Sequence, residues 1–169
     1  CAVVGLSVGG MIAQGLAARR PDLVGALVLM DTAHKIGTAE MWNQRIDGVT
    51  KNGIASLADA IMERWFTPAY RSPDNADYAG YVAMLTRTPV DGYAGTCAAL
   101  RDADLTAGTA ALTQPTLCVV GDQDGSTPPD LVRSTADLIA GARFEIIKDA
   151  GHLPCIEQPD AVAALLSDF

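Results

Sequence analysis

The sequence has no hydrophobic run long enough to cross a membrane, few aromatic side chains and a deficit of positive charge. Aromatic residues make up 5% of its 169 residues, and 12 Lys and Arg stand against 20 Asp and Glu, for a formal net charge of −8. A membrane span needs about 20 consecutive apolar residues, and a nucleic-acid surface needs clustered positive charge. We therefore predict a protein that binds neither membranes nor nucleic acids.

Metal and phosphate motifs are also missing. There is no H-x-x-x-H pair and no Walker loop, and no two of the four cysteines have metal-site spacing: Cys1, Cys97, Cys118 and Cys155. The sequence therefore predicts no metal and no organic cofactor. Because Cys118 lies within an apolar run, we expect reduced, mostly buried thiols, as is typical of a cytoplasmic protein. Hydrophobic residues make up 49% of the chain, which is enough for the core of a single domain.

The most informative stretch is a G-x-S-x-G match close to the start of the sequence. An apolar run, Cys1–Val4, leads into Gly5-Leu6-Ser7-Val8-Gly9, and a helix-like run, Gly10–Arg20, follows. A strand, a sharp turn and a helix in this order predict a nucleophile elbow, in which a serine projects from the top of a sheet. The alternative for a bare match of this length is an ordinary strand-to-helix turn.

Each position of the elbow has a physical role. Ser7 is expected to adopt a strained backbone conformation, and side chains at Gly5 and Gly9 would collide across so tight a bend. The backbone N–H of Val8 would then point to the place where an oxyanion forms.

Two later strands each end in a loop with a chemically useful side chain. The apolar run Thr116–Gly121 is followed by Asp122 and Asp124, and the strand-like run Arg143–Ile147 is followed by His152. The chain order is therefore serine, acid, histidine, and all three groups follow the carboxyl ends of predicted strands. Open α/β sheets place their ligands at that edge.

These three groups complement one another chemically. A serine hydroxyl is a poor nucleophile until a base takes its proton, so His152 is the predicted general base for Ser7. A carboxylate would hold the second ring nitrogen of His152 and stabilise the imidazolium. We choose Asp124 for this role because it lies further into its loop, and we expect Asp122 to cap the turn. Taken singly, each group could also be an ordinary turn or loop residue.

A change of pattern between residues 35 and 112 indicates a helical insertion. Helices are predicted over Ala39–Lys51 with Thr38 as its cap, Ala55–Trp65, Asn75–Leu85 and Val90–Leu100. We predict a core formed by residues 1–34 and 113–169, with residues 35–112 as a cap over the carboxyl ends of the strands. The alternative is a helical excursion packed beside the sheet.

The chain resembles the α/β-hydrolase superfamily and, within it, the 3-oxoadipate enol-lactonases of aromatic catabolism. The stretches that carry the resemblance are Gly5–Met11, Val28–Ala33, Ile36–Thr38, Glu63–Pro68, Gly92–Leu105, Ala150–Leu153 and Glu157–Pro159. The resemblance implies the C-terminal part of a mainly parallel sheet with a helical cap. It also implies a serine hydrolase of the β-ketoadipate pathway that opens 3-oxoadipate enol-lactone to 3-oxoadipate, with Ser7, Asp124 and His152 as its triad.

The resemblance also implies further parts of the site. A fourth strand is predicted over Gly25–Met30. The family's sheet has more strands than these four, so we expect a missing N-terminal segment or a second chain to complete the fold and supply a second oxyanion donor. A small carboxylated lactone needs an apolar pocket and a cation. The apolar candidates are Trp42 and Trp65, and the cationic candidates are Arg45, Arg64 and Arg87. The alternative is that these Trp side chains are core residues and the Arg side chains are solvated.

Three competing functions remain open at this stage. The first is another enzyme of the same fold, such as a carboxylesterase or a carbon–carbon bond hydrolase. The second is an amino-terminal nucleophile enzyme that uses Cys1. The third is a non-catalytic small-molecule receptor on a hydrolase scaffold.

Overall fold

Four parallel strands form a single sheet whose spatial order follows the chain. In the computed structural model, which describes residues 1–169, these strands are β1 (Ala2–Leu6), β2 (Ala26–Met30), β3 (Thr116–Gly121) and β4 (Arg143–Ile147). Each neighbouring pair is parallel. The predicted α/β class with a mainly parallel sheet is therefore confirmed. β1 ends at Leu6, two residues later than the apolar run predicted, because Leu6 still pairs with Met30 of β2.

Alternate residues of the central strands pack on opposite faces of the sheet. On one face, Leu27 and Leu29 belong to an apolar cluster with residues of helices α1 (Val8–Arg19) and α7 (Pro129–Leu138). On the other face, Val28 and Met30 belong to a second cluster with residues of α9 (Pro159–Asp168), which follows the short helix α8 (Pro154–Glu157). Every residue of β3 is buried, as expected for a strand covered on both faces.

The segment between β2 and β3 contains helices and no strand. These helices are α2 (Ala39–Asn52), a 3₁₀ turn (Ile54–Leu57), α3 (Ala58–Trp65), α4 (Ala76–Thr86), α5 (Val90–Asp102) and α6 (Thr106–Ala110). Thr38 caps α2 as predicted, because its hydroxyl oxygen accepts from the Met41 N–H at 3.2 Å. Residues 55–65 do not form one helix: Gly53, at φ 76°, starts a 3₁₀ turn before α3 begins.

One of these helices packs on the sheet side of the molecule. The sequence did not predict α6, which lies against α1, where the Thr109 hydroxyl donates to Gln14 Oε1 at 2.7 Å. The sequence also did not predict α8 and α9. The division into a core and a cap at residues 34 and 112 stays a prediction. No helix has the length and apolar character that a membrane crossing requires.

Candidate active site

The turn between β1 and α1 holds Ser7 in a conformation that non-glycine residues rarely adopt. Its backbone lies at φ 54° and ψ −121°. Two hydrogen bonds hold it there: the Ser7 N–H donates to the Met30 carbonyl at 2.9 Å, and the Thr32 hydroxyl donates to the Ser7 carbonyl at 2.6 Å. The neighbouring strand β2 and the residues after it therefore fix the direction of the Ser7 side chain.

Glycines provide the space for this turn, but not at both of the positions that the motif suggests. A Cβ atom at Gly5 would lie 2.3 Å from the Gly9 carbonyl oxygen, which confirms the prediction for Gly5. A Cβ atom at Gly9 would meet nothing within 4 Å, so the prediction for Gly9 is wrong. The second tight position is Gly10, where a Cβ atom would lie 2.4 Å from Thr32 Cγ2. The helix packs against Thr32 one residue later than the motif implies.

Three side chains from three strand ends form a continuous hydrogen-bonded relay. His152 Nε2 lies 2.9 Å from Ser7 Oγ, and His152 Nδ1 lies 2.8 Å from Asp124 Oδ2. His152 is 3% exposed and Asp124 4% exposed, so water has little access to either polar contact. The backbone N–H of His152 donates to the Trp65 carbonyl at 2.8 Å, which connects the histidine loop to the end of α3. This arrangement can pass a proton from a hydroxyl to an imidazole that a carboxylate holds in place.

Asp124 is held as a charged carboxylate by its own loop. Its Oδ1 accepts from the N–H groups of Ser126 and Thr127 at 2.7 and 3.0 Å, and its Oδ2 accepts from the Thr127 hydroxyl at 2.7 Å. Burial alone would raise the pKa of Asp124, but the hydrogen bonds from His152 and Thr127 outweigh it and hold this pKa below its ordinary value. Asp124 is therefore ionised at neutral pH.

Asp122 has a different role from the one predicted. Its Oδ1 accepts from the Ala150 N–H at 3.2 Å, across the gap to the loop that follows β4. The prediction that Asp122 caps its own turn is therefore wrong: its side chain links the acid loop to the histidine loop.

A cavity of about 710 Å³ lies above the relay, between the strand ends and the inserted helices. Ser7, Val8 and His152 line its base, and 14 of its 24 lining residues are hydrophobic. The indole of Trp65 stacks beside the imidazole of His152, with ring centroids 6.4 Å apart. The cavity therefore favours an apolar ligand of small-molecule size with its reactive atom near Ser7.

The structure brings most, but not all, of the predicted substrate-binding candidates to this cavity. Trp42, Arg45, Arg64 and Trp65 line it. Arg87 does not line it: this residue follows the last turn of α4 and is exposed, so the structure does not bring this predicted cation to the cavity. Leu85, in the last turn of α4, and Thr88, two residues beyond its end, line the cavity instead.

Arg45 is the most embedded of the cationic candidates. Its guanidinium lies 5.6 Å from the ring centroid of Trp42, and its Nη1 lies 3.5 Å from the hydroxyl oxygen of Tyr93. Trp42 is itself fixed, because its indole N–H donates to the Ile36 carbonyl at 2.6 Å. Arg64, in contrast, is exposed and donates its Nε–H to the Gly125 carbonyl at 3.0 Å.

Comparison with known proteins places the chain among enzymes of this fold. The sequence profile described as the alpha/beta hydrolase family matches residues 1–165. The chain belongs to that family. The chain is 32% identical over 165 residues to 3-oxoadipate enol-lactonase 1 of Acinetobacter baylyi, an alignment that covers 98% of this chain and 62% of the relative. This α/β-hydrolase family member therefore spans less than two thirds of the length of that relative.

Solved structures agree with this membership. The enol-lactonase from Burkholderia xenovorans LB400 superposes with a TM-score of 0.93 at 35% identity, covering 98% of this chain and 63% of that structure. A thermophilic esterase from Thermogutta terrifontis superposes with a TM-score of 0.89 at 27% identity, covering 99% and 63%. The fold is thus shared with proteins named as a lactonase and as an esterase.

One buried carboxyl group near the relay, that of Asp31, was not predicted from the sequence. Asp31 follows β2 directly, has a φ of 47° and is completely buried. Its Oδ1 accepts from the Gly121 N–H at 3.0 Å, and its Oδ2 has no hydrogen-bond partner. Burial raises its pKa to about 9; the hydrogen bond from Gly121 opposes this rise and the nearby Asp124 carboxylate adds to it. The available signal was an acid immediately after an apolar strand, as for Asp122 after β3.

Asp31 completes a tight group of ionisable side chains. One donor atom from each of Asp31, Asp124 and His152 lies within 4.8 Å of the others. Both ring nitrogens of His152 are already engaged, one with Ser7 and one with Asp124. The imidazole of His152 therefore has no free ring nitrogen with which to bind a metal ion. The predicted absence of a cofactor stays a prediction.

Two cavity residues were also missed. Tyr93 lies beside Arg45, and burial raises its pKa despite that positive neighbour. Cys97, one helical turn further along α5, is buried in the lining, and burial raises the pKa of its thiol as well. Both groups are therefore neutral at pH 7, and neither places a negative charge beside Arg45.

A second anchor connects the inserted helices to the histidine loop. Glu157 Oε1 accepts from the Thr67 N–H and hydroxyl at 3.0 and 2.6 Å, and its Oε2 accepts from the Gly151 N–H at 2.7 Å. These bonds and the contact between His152 and Trp65 fix the end of α3 over the relay. These contacts thereby fix the position of the cavity wall relative to the base.

Proposed function

We propose that this protein is a serine hydrolase that opens a small carboxylated enol-lactone, 3-oxoadipate enol-lactone, to 3-oxoadipate. The observation that carries the proposal is the buried relay from Ser7 through His152 to Asp124, with links of 2.9 and 2.8 Å at the base of an apolar cavity. The same relay is the arrangement that activates a serine for attack on a carbonyl.

The first half of the proposed reaction forms an acyl-enzyme. His152 takes the proton of Ser7 as Ser7 Oγ attacks the lactone carbonyl, and the Asp124 carboxylate stabilises the imidazolium that results. The N–H of Val8, the first residue of α1, stabilises the oxyanion. Collapse of the tetrahedral intermediate breaks the ring C–O bond, and His152 returns its proton to the enol oxygen that leaves.

The second half releases the product and drives the reaction forward. His152 takes a proton from a water molecule as that water attacks the acyl carbon. The bond from the acyl carbon to Ser7 Oγ then breaks, and His152 returns the proton to Ser7 Oγ. The product enol then tautomerises to the ketone, which disfavours closure of the ring. Net consumption is one water per lactone, with no oxidant or reductant.

Arg45 is the proposed partner of the substrate carboxylate. It is half-buried in the cavity wall and forms no ion pair with any carboxylate of the chain. A guanidinium fixed by an indole on one side and a phenol on the other is already oriented, so it loses little freedom when it binds a carboxylate. The negative charge of the substrate would thus be held at the cavity wall by Arg45.

Similarity to named enzymes adds support. Two enol-lactonases of Acinetobacter baylyi are 32% and 31% identical to this chain, which covers 62% and 58% of their lengths. The predicted second oxyanion donor, and the segment or chain that would supply it, stay predictions. So does the predicted cytoplasmic location.

A substrate assay with a matched serine control tests the proposal. The purified protein, Ser7→Ala and Ser134→Ala are each given 3-oxoadipate enol-lactone and a fluorophosphonate probe. Wild type and the exposed Ser134→Ala control should turn over the lactone and label with the probe, and Ser7→Ala should do neither. Wild-type protein that leaves the lactone intact would rule out the enol-lactonase proposal, and labelling without turnover would leave a serine hydrolase of another specificity.

A carboxylesterase is the second candidate, favoured by the mostly apolar lining of the cavity. Neutral p-nitrophenyl esters separate the two, because an esterase does not need Arg45. An esterase would hydrolyse these esters faster than the lactone and would keep its rate in Arg45→Ala. Vinylogous diketones test the carbon–carbon bond hydrolase alternative in the same assay.

A further inference from the structure

The catalytic relay has a fourth member that the proposed mechanism does not use. Asp31 and Asp124 lie at the ends of neighbouring strands, and one carboxyl oxygen of each lies within 4.8 Å of the other in a buried site. Neither residue lines the cavity. Two carboxylates that are this close and shielded from water repel each other strongly, so we expect one of them to hold a proton.

The hydrogen bonds decide which of the two carboxyls holds the proton. Asp124 accepts four hydrogen bonds, from Ser126, Thr127 (twice) and His152, and these stabilise its charged form. Asp31 accepts one, from Gly121, and its Oδ2 has no partner at all. A buried polar atom without a partner is costly, and protonation converts this oxygen into a hydrogen-bond donor in a site that also holds the charged Asp124 carboxylate.

The other charged groups around Asp31 favour the same assignment. Glu157 and Cys155 approach it from α8, and neither supplies a positive charge. The two carboxylate oxygens of Glu157 are occupied by Thr67 and Gly151. The positive charge that forms on His152 during the reaction is paired with Asp124. No cation is therefore left to stabilise an ionised Asp31.

We infer that Asp31 is a positioning residue that carries a proton at neutral pH and donates a hydrogen bond from its Oδ2 to the Asp124 carboxylate. This inference deepens the proposed function and rests on it. The relay then holds a single negative charge in the resting enzyme, and Asp124 is fixed from two sides: by its own loop and by the end of β2. The rise of the pKa of Asp31 to about 9 on burial agrees with this assignment.

Two substitutions separate the proton from the shape of the side chain. Asp31→Asn keeps an acceptor for Gly121 and a donor for Asp124, but it cannot ionise. Asp31→Leu has a side chain of similar size, but it offers neither an acceptor for Gly121 nor a donor for Asp124. Because the contact lies behind the reacting groups, kcat should change and KM should not. We expect Asp31→Asn to keep kcat within about threefold and Asp31→Leu to lower it by about tenfold or more.

The pH profile adds a measurement that a purely structural role would not affect. If Asp31 is neutral, Asp31→Asn removes no charge, and the acid limb of kcat/KM stays in place. If Asp31 is ionised, the substitution removes a negative charge beside His152 and moves the acid limb to lower pH by about one unit or more. Asp137→Asn, at an exposed carboxyl on α7, is the control for a general effect of charge.

A titration observed by ¹³C NMR tests the inference without any substrate. In protein labelled at aspartate, the Cγ signal of Asp31 is identified by its loss in Asp31→Asn. A midpoint near pH 9 supports the inference, and a midpoint below about pH 6 overturns it. Equal kcat values for Asp31→Asn and Asp31→Leu would overturn the positioning role; should Asp31→Leu not fold, the titration and the acid limb still decide. Wild-type protein that hydrolyses nothing but shows the midpoint near pH 9 would refute the proposed function alone.

Discussion

The base and the wall of the cavity are built in different ways. At the base, Ser7, His152 and Asp124 are joined by side-chain hydrogen bonds of 2.8 and 2.9 Å, and the His and Asp are almost completely buried. In the wall, Arg45 is half-buried, 5.6 Å from the Trp42 ring centroid and 3.5 Å from the Tyr93 hydroxyl. The polar groups of the base are thus joined directly by short hydrogen bonds, whereas the guanidinium in the wall has one longer hydrogen bond and a contact with an aromatic ring.

This difference separates the proposed chemistry of the molecule from its proposed recognition of substrate. Loops at the ends of rigid parallel strands supply the base, so a small displacement there would break a hydrogen bond needed for the proposed proton transfer. Helices of the insertion supply the wall, and changes there should alter which ligand fits. The link between the two regions is short: Trp65, Thr67 and Glu157 connect the end of α3 to the histidine loop.

The largest effect is expected at the nucleophile. Replacement of Ser7 by Ala removes the attacking oxygen, and kcat/KM for the lactone should fall by about 10⁴-fold or more. Steady-state kinetics measure the loss, with Ser134→Ala as the matched control. Residual activity within tenfold of wild type would mean that the base of the cavity does not carry the chemistry.

The two carboxyls of the acid loop should differ sharply. Asp124→Asn removes the charge that pairs with the imidazolium, and kcat should fall by about 10³-fold to 10⁴-fold. Asp122→Asn keeps an oxygen that can accept from the Ala150 N–H, so its kcat should fall by no more than about tenfold. The comparison of kcat in the two variants is the measurement, and a reversed order would assign the acid role to Asp122.

A substitution in the wall should affect binding more than turnover. Arg45→Ala removes the proposed partner of the substrate carboxylate and should raise KM for the lactone by about 10-fold to 100-fold, with a smaller change in kcat. Arg45→Lys, which keeps the charge but loses the planar fork, should fall between wild type and Ala. An unchanged KM in Arg45→Ala would show that another group binds the carboxylate.

The protonated carboxyl behind the base should make the protein less stable as the pH rises. The folded-state pKa of Asp31 is raised to about 9, whereas in the unfolded chain it is about 4. Between these values the folded state binds one more proton, so the free energy of unfolding falls by about 1.4 kcal/mol per pH unit. Asp31→Asn cannot ionise at this position, so its free energy of unfolding should not show this fall. The difference between the free energies of unfolding of Asp31→Asn and wild type should therefore increase by about 1.4 kcal/mol per pH unit.

Urea unfolding of wild type and Asp31→Asn at several pH values between about 5 and 8 measures this slope. Asp137→Asn serves as the control, because its carboxyl is exposed. A stability difference between wild type and Asp31→Asn that is flat across this range would mean that Asp31 is not protonated in the folded state.

The smallest effect is expected at the link between wall and base. Thr67→Val removes the hydroxyl that donates to Glu157 at 2.6 Å and leaves the backbone N–H bond in place. The free energy of unfolding should fall by about 1–2 kcal/mol, with kcat reduced by less than about tenfold. The exposed Thr113→Val is the matched control. Equal stability of the two variants would show that this bond does not hold the wall to the base.

Local sequence patterns accounted for the strands and for the order of the groups at the base. The run Thr116–Gly121 has the bounds of β3, because a buried parallel strand must be apolar throughout. The same reasoning failed where a contact with another element decides. Gly10 rather than Gly9 is the tight position because of Thr32, a residue that lies beyond the end of β2. Arg87 was chosen by charge, but the packing of α4 turns it away from the cavity.

The sequence by itself determined the parallel α/β class and the G-x-S-x-G turn, and it led to the choice of Ser7, Asp124 and His152, because those features depend on residue types at short spacing. Only the tertiary structure decided that Arg45 lies in the cavity and that Asp31 lies against Asp124. The Asp31 carboxyl accepts a hydrogen bond from the N–H of Gly121, a residue 90 positions away in the chain. Burial and long-range proximity set the charge state of such a group, and no local pattern of residues encodes either of them.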